Sequence, residues 1–213
     1  AQQRSPLAAA AVVIAALSSA SFRMVGPVYG QEVGLSTNQI AYFLSAFVLG
    51  GALAQYPVGW LADKFDRRWV LIWLSVAAIG SSAITIFSAS LGTTSVMLTA
   101  GLFGLTTFPI YSVAAAHAHD FASDDERVEL SAALMFYYAL GAIAAPYVAS
   151  WLIDAYGPPA LFILVAAGHL VLVLFGLSRM RARPTPMERT RYTYSPRTSF
   201  TIGRLIGKDR KPK

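Results

Sequence analysis

The chain has 213 residues, 55% hydrophobic and 13% charged, with a mean hydropathy of +0.52. A soluble domain carries roughly 25% charge, so this composition specifies a membrane protein. There is no cysteine, which excludes disulfides, thiolate metal sites and a cysteine nucleophile. The net charge of +6 belongs to one end, because residues 179–213 hold eleven Lys or Arg against two acids, while the rest holds six against nine. A basic charge so placed does not describe a nucleic-acid-binding domain.

Residues 1–6, with Arg4 and Pro6, are polar and read as the end of a linker. With no initiator Met, the expectation is a chain cut from something longer. The apolar run that follows is too long for a signal peptide, and five more like it come after. The spans fall at about 7–27, 37–61, 69–88, 94–116, 130–153 and 160–177, each near the roughly 20 residues that a bilayer core requires. Before the second span, Ser36-Thr37-Asn38-Gln39 has the spacing of a capping box. A tight charged knot at 59–68 joins spans two and three; an uncharged link at 89–93 joins three and four. The next loop holds His117, His119, Asp120, Asp124, Asp125, Glu126 and Arg127, and the turn 154–159 precedes the last span. Strand-like alternation is absent. The expectation is an all-α integral membrane protein: a six-helix transmembrane bundle over 1–178, and a basic, disordered tail over 179–213 held against anionic lipid.

Lys and Arg are counted by side to give orientation. The N-terminal segment has one, the knot three, the 117–129 loop one and the tail eleven, whereas the loops at 29–36, 89–93 and 154–159 have none. By the positive-inside rule, both termini and the knot face the cytoplasm.

The knot reads Gly59-Trp60-Leu61-Ala62-Asp63-Lys64-Phe65-Asp66-Arg67-Arg68. Its Gly-x-Leu-Ala-Asp-x-x-x-Arg-Arg pattern resembles the signature loop of the major facilitator superfamily, found between helices 2 and 3 and, degenerate, between helices 8 and 9. Gly59, Leu61, Asp63, Arg67 and Arg68 match; Asp66 stands where the family usually has glycine. A second run, Pro109-Ile110-Tyr111-Ser112 through Ala116-His117-Ala118-His119-Asp120, resembles the end of helix 10 in a bacterial subgroup of the superfamily, with His119 in place of the usual Asn. The resemblance implies the C-terminal six-helix half of a twelve-helix carrier in a bacterial inner membrane. It also implies that Asp63 is a latch residue set against a helix of the other half.

Within the spans, Arg23 is a functional candidate, because a guanidinium inside a bilayer is costly; the plain alternative is snorkelling to the outer interface. Gln55, Thr107, Tyr111, Tyr137 and Tyr138 are further candidates for lining a substrate cavity. Tyr29, Trp60, Trp69, Tyr147 and Trp151 read as interfacial anchors. Pro57, Pro109 and Pro146 permit kinks, while Ala46/Gly50/Ala54 and Gly141/Ala145/Ala149 read as close-packing faces. His117, His119 and Asp120 read as a cytoplasmic polar network with Lys64, Arg67 and Arg68; His169 reads as a hydrogen-bonded packing residue. No metal, cofactor or enzymatic chemistry is expected, since no nucleophile–base set lies at midplane depth.

The function these features imply is secondary transport of a small molecule by alternating access, with the N-terminal half as partner. If protons drive it, the titrating carboxylate lies in that other half. The alternative is a non-transporting half-length membrane protein or assembly subunit.

Overall fold

The computed structural model describes residues 5–182; residues 1–4 and the greater part of the expected basic tail, from 183, lie outside the described residues. The helices are α1 (Pro6–Glu32), α2 (Thr37–Lys64), α3 (Arg67–Ser88), α4 (Thr93–Thr107), α5 (Ile110–His119), α6 (Arg127–Tyr156) and α7 (Ala160–Ala182). They make six membrane-length spans, with α4 and α5 sharing the fourth. The chain is all-α across the described residues.

Local chemistry explains the boundaries. Ser36 caps α2 through the reciprocal capping box, its backbone N–H donating to Gln39 Oε1 at 2.8 Å. Asp66 caps α3 by accepting from the Arg68 backbone N–H at 3.0 Å, which accounts for a carboxylate where the family pattern has glycine. Gly157 ends α6 at φ 85°, a conformation that strains any other side chain.

Most span ends shift by three residues or fewer, and the structure departs further from the sequence reading at three places. α1 continues past Pro27 to Glu32. The fourth span is interrupted at Phe108-Pro109, where Pro109 has no N–H to continue the ladder, whereas α2 and α6 run through Pro57 and Pro146. At the far end, α7 takes in Arg179–Ala182, which the sequence assigns to the tail.

α1 packs chiefly on α6, α2 on α4, and α3 on α7. Exchanging the first three spans with the last three converts the first pairing into the second and leaves the third unchanged. Since three spans reverse the direction of the chain, this is the packing of an inverted repeat. α1 is the most buried span, and α2 and α6 are the most exposed.

Small residues set the spacing. A Cβ added at Gly50 would lie 2.0 Å from the Gly101 carbonyl oxygen, and one at Gly104 1.9 Å from that of Phe47. On the other side, Gly141 of α6 lies over Val13 and Ala16 of α1. Hydroxyl groups packed in α3 bond to their own helix, as in Ser75 to Leu71 O at 2.8 Å and Ser82 to Ala78 O at 2.7 Å. Between helices, Ser81 and Thr106 bond at 2.9 Å, and Ser18 and His169 at 2.9 Å.

Two cores stack along the bundle. The end bearing the charged knot is aliphatic, with Leu7, Val12, Val58, Leu71, Ile110, Leu134 and Leu172. The opposite end is aromatic: Phe22 stacks on Phe43, Phe47 and Phe103 at 4.7, 4.3 and 5.2 Å. Tyr29 belongs to this second core. It is 1% exposed and donates to Thr85 O at 3.4 Å, so its reading as an interfacial anchor is corrected. The extension of α1 beyond Pro27 carries its ring into the bundle.

Candidate functional site

A cavity of about 290 Å³ lies between the two cores. Ser19 and Arg23 reach it from α1 and Gln55 from α2; Phe108 comes from the break, Tyr111 and Ser112 from α5, and Met135 and Tyr138 from α6. Phe108 packs on the aromatic core, while Tyr111 and Tyr138 pack on the aliphatic one. The break in the fourth span therefore brings backbone irregularity to a cavity wall, where membrane proteins tolerate it.

Arg23 turns into this space. Its guanidinium carbon stands 5.3 Å from the Phe108 ring centroid, within cation–π range, worth about 0.5–1 kcal/mol for an exposed cation such as this one. Phe108 is in turn backed by Gly51, where a Cβ would meet the ring at 2.5 Å. On the adjoining wall, Ser112 Oγ donates to Gln55 Oε1 at 3.2 Å. Tyr111 and Tyr138 meet edge to face at 5.3 Å. The result is one cation among neutral polar and aromatic groups.

Two sequence candidates are corrected. Thr107 is fully buried and donates to Phe103 O at 2.7 Å, satisfied by its own helix and absent from the cavity wall. Tyr137 packs against the aliphatic core and does not line the cavity. Conversely, the sequence reading passed over Ser19, Phe108, Ser112 and Met135. Helical spacing gives part of the signal: Ser19 lies four positions before Arg23, and Met135 three before Tyr138. A larger recess of about 520 Å³, lined by Val58, Leu61, Trp69 and Trp73 among others, lacks convergent polar groups. Trp69 and Trp73 stand exposed at its rim. We therefore take the smaller, polar cavity as the candidate site.

The charged knot forms a second constellation. Arg67 pairs with Asp63 at 3.0 Å, across the short link between α2 and α3, and with Asp120 at the end of α5. Arg68 pairs with Asp66 at 2.8 Å. Both arginines are only 6% exposed. Lys64 lies over the Trp60 ring at 4.7 Å, and a Cβ at Gly59 would meet nothing within 4 Å. The network expected around Arg67 thus includes Asp120, and His117 lies within electrostatic reach of Asp120, Asp66, Arg68 and Arg67. His117 is buried with its ring edge-on to Phe121 at 5.3 Å, and His119 Nε2 bonds Ser131 Oγ at 3.2 Å. Among the described residues no His/Cys/Asp/Glu group has the arrangement of a metal site.

The sequence model described as Major Facilitator Superfamily matches residues 8–210. The chain belongs to the Major Facilitator Superfamily. Among curated superfamily relatives, it is 32% identical over 161 residues to an "Uncharacterized MFS-type transporter" of Yersinia pestis, covering 75% of this chain and 41% of that one. It is 30% identical over 162 residues to the "Uncharacterized MFS-type transporter YcaD" of Escherichia fergusonii, covering 76% and 41%. This chain therefore matches less than half the length of these relatives. Among solved structures, the POT family transporter PepTSo has a TM-score of 0.72 at 16% identity, over 98% of this chain and 46% of that one. An auto-inhibited POT family peptide transporter has a TM-score of 0.67 at 15% identity, over 92% and 39%. At such identities the likeness concerns the fold alone. Membership and six apolar spans make this a multi-pass membrane protein of a transporter family.

Proposed function

We propose that this chain is the C-terminal half of a secondary carrier and supplies one wall of a central substrate cavity that alternates between the two sides of a bacterial inner membrane. The cavity between the two cores carries the reading, because its polar groups converge near the middle of spans otherwise closed by aliphatic and aromatic packing. α2 and α6, the least buried spans, would meet the N-terminal half. The positive-inside count supports a cytoplasmic knot and cytoplasmic termini of the bundle. The small-molecule substrate and any proton coupling belong to the complete carrier.

Ser112→Cys in the full-length protein, with other cysteines removed, tests alternation without a known substrate. A membrane-impermeant maleimide is expected to label it in both right-side-out and inside-out vesicles. Labelling from one side alone would overturn the reading.

Asp63 is the latch in this scheme. Its side chain is 41% exposed and held by Arg67, so it is accessible to a helix terminus of the other half, where the dipole favours a carboxylate. Asp63→Asn is expected to reduce uptake of any solute the full-length protein accumulates by about tenfold, equivalent to about 1.4 kcal/mol. Membrane insertion should stay intact. Unchanged uptake would remove Asp63 from the mechanism.

A further inference from the structure

We infer that the cavity takes a small organic anion, with Arg23 as its charge anchor and Phe108 as a positioning residue; this rests on the cavity being the substrate site. Among the described residues, Arg23 is the one cation on the wall, and no carboxylate lines it. Among the described residues, none forms an ion pair with Arg23 or accepts a hydrogen bond from it. Glu32, the next acid along α1, is nine residues on, about 13 Å along the axis.

A guanidinium has five N–H donors in a fixed fork. The Phe108 ring lies 5.3 Å from its central carbon and supplies no lone-pair acceptor, so N–H donors remain for a ligand. That geometry selects a planar or tetrahedral oxyanion, a carboxylate or a phosphomonoester, held bidentately. The rest of the wall is neutral: Gln55 and Ser112 offer hydrogen bonds, and Tyr111, Tyr138 and Met135 offer aromatic and apolar contact. The ligand body is therefore uncharged and partly apolar. A cationic solute is disfavoured by the same unpaired charge.

Phe108 sets the position of the fork. Gly51 leaves room for the ring on one side and Arg23 covers it on the other, so the break in the fourth span fixes where the charge stands.

The test uses the purified full-length protein in detergent and its thermal midpoint. The probes are benzoate, phenylpropionate and phenyl phosphate, matched with benzyl alcohol, benzamide and benzylammonium. Only the anions are expected to raise the midpoint, as ligands of the native state do. Arg23→Gln should weaken their apparent affinity about a hundredfold, the loss typical of removing one partner of a buried charge pair. Arg23→Lys should recover part of it, and Gln55→Ala should weaken it less. Phe108→Leu should cost about tenfold and Phe108→Tyr should restore binding, as a positioning ring requires. The ligand-free midpoints of Arg23→Gln, Arg23→Lys and Gln55→Ala should lie close to wild type, while that of Phe108→Leu falls with its lost packing on the aromatic core. Failure of all three anions to bind overturns the proposal. So does binding of neutral or cationic probes that Arg23→Gln leaves unchanged; if Gln55→Ala weakens that binding, the cavity remains the site and only the anion reading falls. A fall in the ligand-free midpoint of Arg23→Gln larger than that of Phe108→Leu exceeds what the cation–π contact supplies; it would identify an internal ion pair with the rest of the protein, and would also overturn the proposal. Weakening by Arg23→Gln that Gln55→Ala, Tyr138→Ala and Ser112→Ala do not share would place the anion elsewhere and remove the cavity reading itself.

Discussion

Gly104→Ala is expected to destabilise the bundle by about 3 kcal/mol, the upper end of the usual range for overpacking. The added methyl would stand 1.9 Å from the Phe47 carbonyl oxygen. Backbone, unlike the end of a long side chain, cannot move aside without shifting a whole helix. Gly50→Ala meets the same obstacle from the other helix, at 2.0 Å from Gly101 O. In a bilayer there is little hydrophobic drive between helices, so close backbone approach supplies much of the attraction. Spreading α2 from α4 weakens every contact along that crossing. The double variant should cost less than the sum of the two singles, because the first methyl opens the gap that the second occupies. Unfolding of the full-length protein in mixed micelles, followed by tryptophan fluorescence, gives the comparison. Gly80→Ala is the control, since a Cβ there meets nothing within 4 Å. It should be neutral or stabilising by up to about 1 kcal/mol from helix propensity. A midpoint unchanged in Gly104→Ala would mean that α2 and α4 do not approach this closely.

The parts of this fold that were legible in the sequence are those governed by the solvent. A bilayer imposes span length, and charge enters it only at a cost, so six apolar runs and the knot at 59–68 could be placed from composition alone. The four-residue spacing of Ala46/Gly50/Ala54 likewise marked a packing face, and Gly50 does meet α4. What was not legible depends on rotation of one helix against another. Thr107 is polar at mid-span, but a hydroxyl can be satisfied by the preceding turn of its own helix, so polarity alone did not place it in the cavity. Tyr29 sits near a span end by hydropathy, yet the continuation of α1 past Pro27 brings it among Phe43 and Phe162. Arg23 was a candidate from its cost alone; its direction, toward Phe108, needed the three-dimensional packing. Phe108 had only its position before Pro109 to mark it.

Arg67→Ala is expected to cost about 3–5 kcal/mol, the penalty for leaving one member of a buried pair without its partner. The side chains of Arg67 and Asp120 are each 7% exposed, so water cannot replace the lost guanidinium. Asp63, at 41% exposed, would lose much less, because solvent reaches it. The pair ties the start of α3 to the end of α5, where the α5 carbonyls favour a cation. Arg67→Met combined with Asp120→Leu removes both charges and fills the space with apolar groups of similar length. Such replacements are often neutral or stabilising, so the double variant should recover most of the loss. The double-mutant cycle then gives the coupling between the two side chains, and a coupling near zero would show that they act independently. Transport should not recover with stability. Arg67 also holds Asp63 at 3.0 Å, and the double variant frees the proposed latch even where the fold is restored. A variant with wild-type stability and wild-type uptake would show that the knot only packs. One with wild-type stability and lost uptake would separate the switching role of Arg67 from its structural one.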